Sequence, residues 1–135
     1  MTVRYDHEDP EGLASMLGEL IAQNLLRDPS RHRLLRPATV VVGAADARVA
    51  VTIRMRPGEV LISRVTDPRA QVSIAASGND LLFMAGAPLR FGLPDPLRHE
   101  GRAVLFAIAT GRVRVRGLLR RLLVLRRFTM LLSAR

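Results

Sequence analysis

The sequence predicts a single α+β domain, with an N-terminal helix, a β-meander, and further helices that flank a last strand. Three observations support this. Apolar residues near the N-terminus follow helical spacing, the middle alternates between apolar and polar residues, and helical spacing returns in the last third. The chain has 135 residues, of which 48% are hydrophobic. This length is typical of one domain, and this composition can form a buried core.

The first predicted element is a helix. Residues 1–8 are polar and are expected to be a mobile lead. Mostly apolar residues at helical spacing then run from Leu13 to Asn24, and the helix is expected to end before Asp28 and Pro29. A short turn is predicted over residues 30–35. His32 lies there among arginines, which we interpret as a solvated linker, with an anion contact as the alternative.

The middle of the chain predicts four strands. They cover residues 39–42, 48–56, 59–65 and 70–76, and turn residues separate them. The second strand alternates most clearly, with valine, isoleucine and methionine on one face and arginines, Ala50 and Thr52 on the other. The simplest arrangement is a meander of four antiparallel strands with one face in water.

The C-terminal part predicts helices around one more strand. A capped helix is expected over residues 80–85, followed by a long Pro-rich loop, residues 87–100, which has the length of a functional lid. A helix over residues 102–109, a strand over 112–116 and a last helix over 118–132 complete the chain.

The last helix is predicted to be apolar on more than one side. At roughly 100° per residue, one face carries five residues, and two arginines lie opposite. The face consists of Leu118, Leu122, Leu125, Thr129 and Leu132, with Arg120 and Arg127 opposite. Leu123, Met130 and Leu131 are left near the arginines, where they could contact a ligand, a membrane or a second subunit.

Charge is concentrated at the C-terminal end. Residues 101–135 hold nine arginines and no Asp or Glu, whereas the other 100 residues hold 12 arginines and 12 acids. The net charge of +9 therefore arises from this end, which indicates an anionic or an apolar partner.

The sequence offers little catalytic chemistry. His7, His32 and His99 lack the spacing of a metal site, there is no cysteine, and no nucleophile has a partnered base. We therefore expect a noncatalytic protein without a metal or cofactor. No secretory segment or bilayer-length apolar run is present, so we expect a cytoplasmic protein.

Three segments carry a resemblance to a known family. They are Asp67-Pro68-Arg69-Ala70-Gln71-Val72-Ser73-Ile74, Asp80-Leu81-Leu82, and Thr110-Gly111-Arg112-Val113-Arg114-Val115-Arg116-Gly117. With the order of elements, they make residues 11–132 resemble the sterol carrier protein type 2 domain, the nonspecific lipid-transfer fold. The resemblance implies a single five-stranded, mainly antiparallel sheet covered on one face by helices. An apolar tunnel between these layers would bind a lipid or sterol-like ligand.

Within this fold we expect particular side chains to contact the ligand. They are Phe83, Met84, Phe91, Leu105, Phe106, Leu122, Leu125 and Phe128. Arginines of the last helix would contact an anionic membrane, namely Arg120, Arg121, Arg126 and Arg127. One alternative is a nucleic-acid-binding module with a basic sheet face, formed by Arg48, Arg54, Arg56, Arg112, Arg114 and Arg116. Against it, this face offers almost no aromatic side chains on which bases could stack. A second alternative is a homo-oligomeric interaction domain, such as a homodimer, built on the surplus leucines of the last helix.

Overall fold

The fold combines a mixed β-sheet with helices. The computed structural model describes residues 2–5, 12–44, 46, 48–81, 89–90, 93–94, 97–117 and 121–133. The α-helices are α1 (Gly12–Arg27), α2 (His99–Ala109) and α3 (Leu122–Leu132), a 3₁₀-helix covers Pro29–Leu34, and residues 78–81 are also helical. The strands are β1 (Thr2–Tyr5), β2 (Ala38–Ala44), β3 (Val49–Arg56), β4 (Glu59–Ser63), β5 (Val72–Ala76), β6 (Leu89–Arg90), β7 (Leu93–Pro94) and β8 (Arg114–Arg116).

The main sheet has six strands in the order β1-β4-β3-β2-β5-β8. Strands β2, β3 and β4 form the predicted antiparallel meander, and β8 is antiparallel to β5. However, β5 pairs with β2 in parallel, and β1 pairs with β4 in parallel. The α+β class is confirmed, but the prediction of five mainly antiparallel strands is wrong in both the number of strands and their pairing.

The connection from β4 to β5 explains the parallel pairing. Because β5 does not continue the meander, residues 64–71 return across the sheet to its other side. The hydroxyl of Thr52 on β3 donates to the carbonyl oxygen of Val65 (2.7 Å) and accepts from the backbone N–H of Asp67 (3.0 Å). Thr52 is therefore fully buried on the face predicted to be in water.

Strand β1 lies in the segment that was expected to be a mobile lead. It pairs with β4 from Thr2 opposite Glu59 to Tyr5 opposite Ile62. The ring of Tyr5 approaches Gly18 of α1 so closely that a Cβ atom there would collide with the phenol oxygen. Burial, and secondarily the negative charge of Glu19, raise the pKa of Tyr5. This contact joins the edge of the sheet to α1.

The core lies between the sheet and the helices. On β3 the buried side chains Val51, Ile53 and Met55 alternate with residues on the opposite face. Helix α1 packs against β1, β3 and β4 and buries an apolar stripe that includes Leu17 and Ile21. Helix α3 packs on α1 and on the 3₁₀-helix, so two helical segments from opposite ends of the chain meet.

Candidate ligand-binding site

Of the predicted ligand-binding residues that the structure describes, the two most deeply buried lie on helix α3. Leu125 and Phe128 belong to the apolar core between sheet and helices, and Phe128 is only 1% exposed. The predicted packing face of this helix requires correction. Leu122 is exposed and Leu131 is fully buried, the opposite of the prediction. The buried face consists of Val124, Leu125, Phe128 and Leu131 and is centred on Phe128, which was not part of the predicted face.

Helix α2 places two predicted ligand contacts at the surface. Leu105 is 39% exposed and Phe106 is 66% exposed, whereas Val104 and Ala107 are buried. Leu122 at the start of α3 is also exposed. Phe83, Met84 and Phe91 lie outside the described residues. The predicted set therefore divides into a buried pair on α3 and an exposed group on α2 and α3.

A short hairpin lies next to both helices. Strands β6 and β7, within the segment predicted to be a long loop, pair antiparallel with Leu89 opposite Pro94 and Arg90 opposite Leu93. Strand β7 contacts α2 and α3. The predicted loop therefore contains regular structure, and its C-terminal part, from His99, is the first turn of α2.

The arginines of α3 do not all face solvent. Arg121 is exposed, Arg126 and Arg127 are half-buried, and Arg120 lies outside the described residues. Arg126 and Arg127 line a cavity of about 380 Å³ between α3 and the end of the 3₁₀-helix. We call it the basic pocket, and its described lining residues are Arg33, Leu34, Arg36, Pro37, Leu123, Arg126 and Arg127.

Arg31 holds the two walls of the basic pocket together. Its side chain is buried, and its Nη1 donates to the carbonyl oxygens of Met130 (3.2 Å) and Ser133 at the end of α3. Asn24, also buried, donates from Nδ2 to the carbonyl oxygen of Leu131 (2.9 Å). These bonds satisfy carbonyl groups that a helix end leaves without intrahelical partners, and the positive charge suits the helix C-terminus.

Sequence reasoning missed this role of Arg31. The arginines around His32 were interpreted as a solvated linker, whereas Arg31 is buried and also pairs with Asp28 (3.4 Å). The hydrogen bond from the hydroxyl of Ser30 lowers the pKa of Asp28, and Arg31 lowers it to a smaller extent. Of these contacts, only the ion pair with Asp28, three residues before Arg31, could have been predicted from sequence spacing. The partners on α3 are about 100 residues away, and no spacing rule connects them.

A second cavity, of about 410 Å³, has a largely apolar lining. It lies between β1, the C-terminal part of α1 and the 3₁₀-helix, and its described lining residues are Val3, Ala22, Leu25, Leu26, Pro29 and His32. Leu26 is 82% exposed. None of the predicted ligand contacts that the structure describes is among these lining residues.

The sheet face proposed for nucleic acid carries arginines that are already paired. Arg54 pairs with Asp67 (3.1 Å), Arg56 with Glu59 (2.7 Å), and Arg112 with Asp80 (3.2 Å). The other three arginines of that face, Arg48, Arg114 and Arg116, are exposed. Carboxylates therefore partly neutralise this face, which makes it a weaker phosphate-binding surface than its arginine count indicates.

The described part of the chain has neither a metal-binding cluster nor a membrane-spanning helix. No cluster of His, Asp or Glu among these residues could hold a metal ion. No helix in the same ranges is long and apolar enough to cross a membrane.

Comparison with known proteins identifies the fold. No protein-family model matches this sequence, and no curated protein sequence matches it. A solved structure titled "UbiJ-SCP2 Ubiquinone synthesis protein" is similar, with a TM-score of 0.62 and 15% sequence identity. The match covers 89% of this chain and 92% of that chain. The expected resemblance is therefore confirmed at the level of structure, and the chain has a sterol-carrier-protein-type-2-like fold.

Proposed function

We propose that the protein binds a lipid or sterol-like apolar ligand between its sheet and its helices and carries it without chemical conversion. The observation that carries this proposal is the structural similarity over most of both chains to a protein titled for ubiquinone synthesis. Ubiquinone joins a quinone head to a long isoprenoid tail. The candidate ligand classes are therefore acyl chains, sterols and isoprenoids.

The proposed binding region lies along α3. Leu125 and Phe128 supply its apolar inner wall, and their burial in the core supports contact with an apolar molecule. The β6–β7 hairpin contacts both α2 and α3, which supports entry of the ligand beneath it. Leu105, Phe106 and Leu122, which are exposed, would then contact the ligand at the entrance.

Ligand extraction tests this function directly. Protein purified under native conditions is extracted with organic solvent, and the extract is analysed by mass spectrometry. We expect a stoichiometric apolar compound. Leu125→Trp narrows the proposed site and should lower ligand occupancy, whereas Val41→Ile adds bulk at a buried position on β2 outside this core cluster and should leave occupancy unchanged. An empty extract, together with no binding of fluorescent fatty acyl or isoprenoid probes, would refute lipid carriage.

We also propose that the start of α3 contacts anionic bilayers. Arg121 is exposed there beside Leu122 and Leu123, and Leu123 is 72% exposed. Basic residues near an anionic membrane contribute about 1 kcal/mol each, and apolar side chains can enter the interface. Leu123→Ser should weaken binding to vesicles of phosphatidylglycerol, whereas Val65→Ser, at an equally exposed position, should not. Equal binding to pure phosphatidylcholine vesicles would refute the electrostatic part.

A further inference from the structure

The basic pocket collects positive charge from two separate parts of the chain. Arg33 and Arg36 approach from the 3₁₀-helix and the residues after it, and Arg126 and Arg127 approach from α3. No Asp or Glu is among its described lining residues. Its volume, about 380 Å³, lies within the usual range for small-molecule sites. A cavity with this lining favours an anion.

Arg127 gives the strongest indication of a ligand. Its Nη1 is buried, and it is the one buried side-chain nitrogen or oxygen in the described part of the chain without a hydrogen-bond partner. A guanidinium stays protonated at any physiological pH and has only donors. Buried polar groups in folded proteins almost always have partners, so a donor of this kind indicates an acceptor supplied by another molecule.

Among the described residues, no acid accepts a hydrogen bond from Nη1 of Arg127. Several described carboxylates pair with other arginines, as in the Arg31–Asp28 and Arg112–Asp80 pairs. Neither Arg33 nor Arg36 forms an ion pair with a described residue. Arg33, Arg36 and Arg127 therefore place like charges around the pocket, and a bound anion would relieve their repulsion.

The pocket is built on fixed elements. Arg31 and Asn24 bind the C-terminal carbonyls of α3, which holds α3 against α1 and the 3₁₀-helix. Both walls are therefore placed before a ligand arrives, and such preorganisation lowers the cost of binding.

We propose that the basic pocket binds a phosphate group. A phosphate has several acceptor oxygens and two negative charges, so it can accept bidentate hydrogen bonds from more than one guanidinium. This site is separate from the apolar ligand site and does not depend on lipid carriage. The phosphate has two sources that share this chemistry: the headgroup of a lipid, for which Leu123 at the rim would meet acyl chains, or a water-soluble phosphate compound.

The first arm of the test uses inorganic phosphate. Arginine side-chain and backbone NMR signals are followed during titration with phosphate at constant ionic strength, with chloride as the reference anion. We expect saturable shifts at the pocket. Arg127→Gln and Arg36→Gln should each weaken binding by about tenfold or more. Arg64→Gln, which removes the same charge at an exposed bend after β4, should change binding by less than about twofold.

The second arm uses vesicles of phosphatidylcholine with and without phosphatidic acid, whose headgroup is a phosphate monoester. Binding to phosphatidic acid that depends on Arg127 supports a lipid headgroup as the source. Arg127-dependent binding of inorganic phosphate alone supports a soluble source.

The proposal is overturned if neither probe binds, or if Arg64→Gln weakens binding as much as the pocket variants do. Because Arg36 is exposed, Arg36→Gln should fold and can show whether phosphate binding depends on the basic pocket, even if Arg127→Gln fails to fold. Lipid extraction is a separate measurement, so failure of this proposal is distinguishable from failure of lipid carriage.

Discussion

Replacement of Arg31 by leucine should destabilise the protein strongly. The buried side chain donates to two carbonyl groups at the end of α3 and pairs with Asp28, which is partly exposed. Hydrogen bonds from charged groups contribute about 1.5–3 kcal/mol each, so the loss of two costs about 3–6 kcal/mol. Burial of the leucine returns about 1.5–3 kcal/mol. We therefore expect a net loss of roughly 2–3 kcal/mol in the free energy of unfolding.

Thermal and urea unfolding, followed by far-UV circular dichroism, measure this loss. For a domain of this size we expect Tm to fall by roughly 8–12 °C, since 1 kcal/mol corresponds to about 4 °C. Arg33→Leu is the matched control, because it removes the same charge from an exposed position of the same 3₁₀-helix. It should stay within about 0.5 kcal/mol of the wild type. Equal stability of the two variants would refute the anchoring role of Arg31.

Three further predictions concern the sheet and its connections. Gly117→Ala should cost more stability than Gly58→Ala: both glycines have positive φ, but a Cβ at Gly117 would collide with the carbonyl oxygen of Gln71, whereas one at Gly58 meets nothing. Similar Tm values for the two variants would contradict this. The backbone N–H of Arg69, and secondarily Arg54, lower the pKa of Asp67, so its stabilising effect is present above its usual pKa of 3.8 and lost as pH falls through the lowered value. The Tm difference between wild type and Asp67→Asn should therefore shrink in acid, and a constant difference would count against the interaction. The raised pKa of Tyr5 stabilises the protein below pH 10 and loses its effect as pH rises through the raised value, so Tyr5→Phe should resist alkaline unfolding better than the wild type.

Local sequence signals predicted most elements but not how distant elements pair. Helix α1, the 3₁₀-helix and strands β2 to β5 follow from apolar periodicity and turn residues, which act over a few positions. The parallel pairing of β5 with β2 depends on where residues 64–71 cross the sheet, and periodicity carries no information about that path. Strand β1 was missed because a four-residue edge strand next to charged residues has almost no apolar pattern.

The candidate site was predictable to a similar degree. Charge counting predicted an anion contact for the arginines of α3, but Arg33 and Arg36, which line the same cavity, lie about 90 residues away in sequence and join them only through packing. Leu125 and Phe128 were predicted to contact the ligand, and the structure buries both of them, while the contact itself stays a prediction. Leu105 and Phe106 were expected to line a cavity because an apolar helix normally faces a core, yet α2 buries only its opposite side.

The two proposed sites use different sides of one helix. Adjacent residues on a helix point about 100° apart, so Phe128 faces the core while its neighbour Arg127 lines the basic pocket. A substitution at either residue therefore alters one site without contacting the ligand of the other. If a single amphiphile occupied both sites, loss of Arg127 would also lower the amount of apolar compound extracted. If the sites bind separate molecules, extraction would be unchanged while phosphate affinity falls. The combination of these two measurements in one variant thus separates a carrier of phosphorylated lipids from a lipid carrier with an independent anion site.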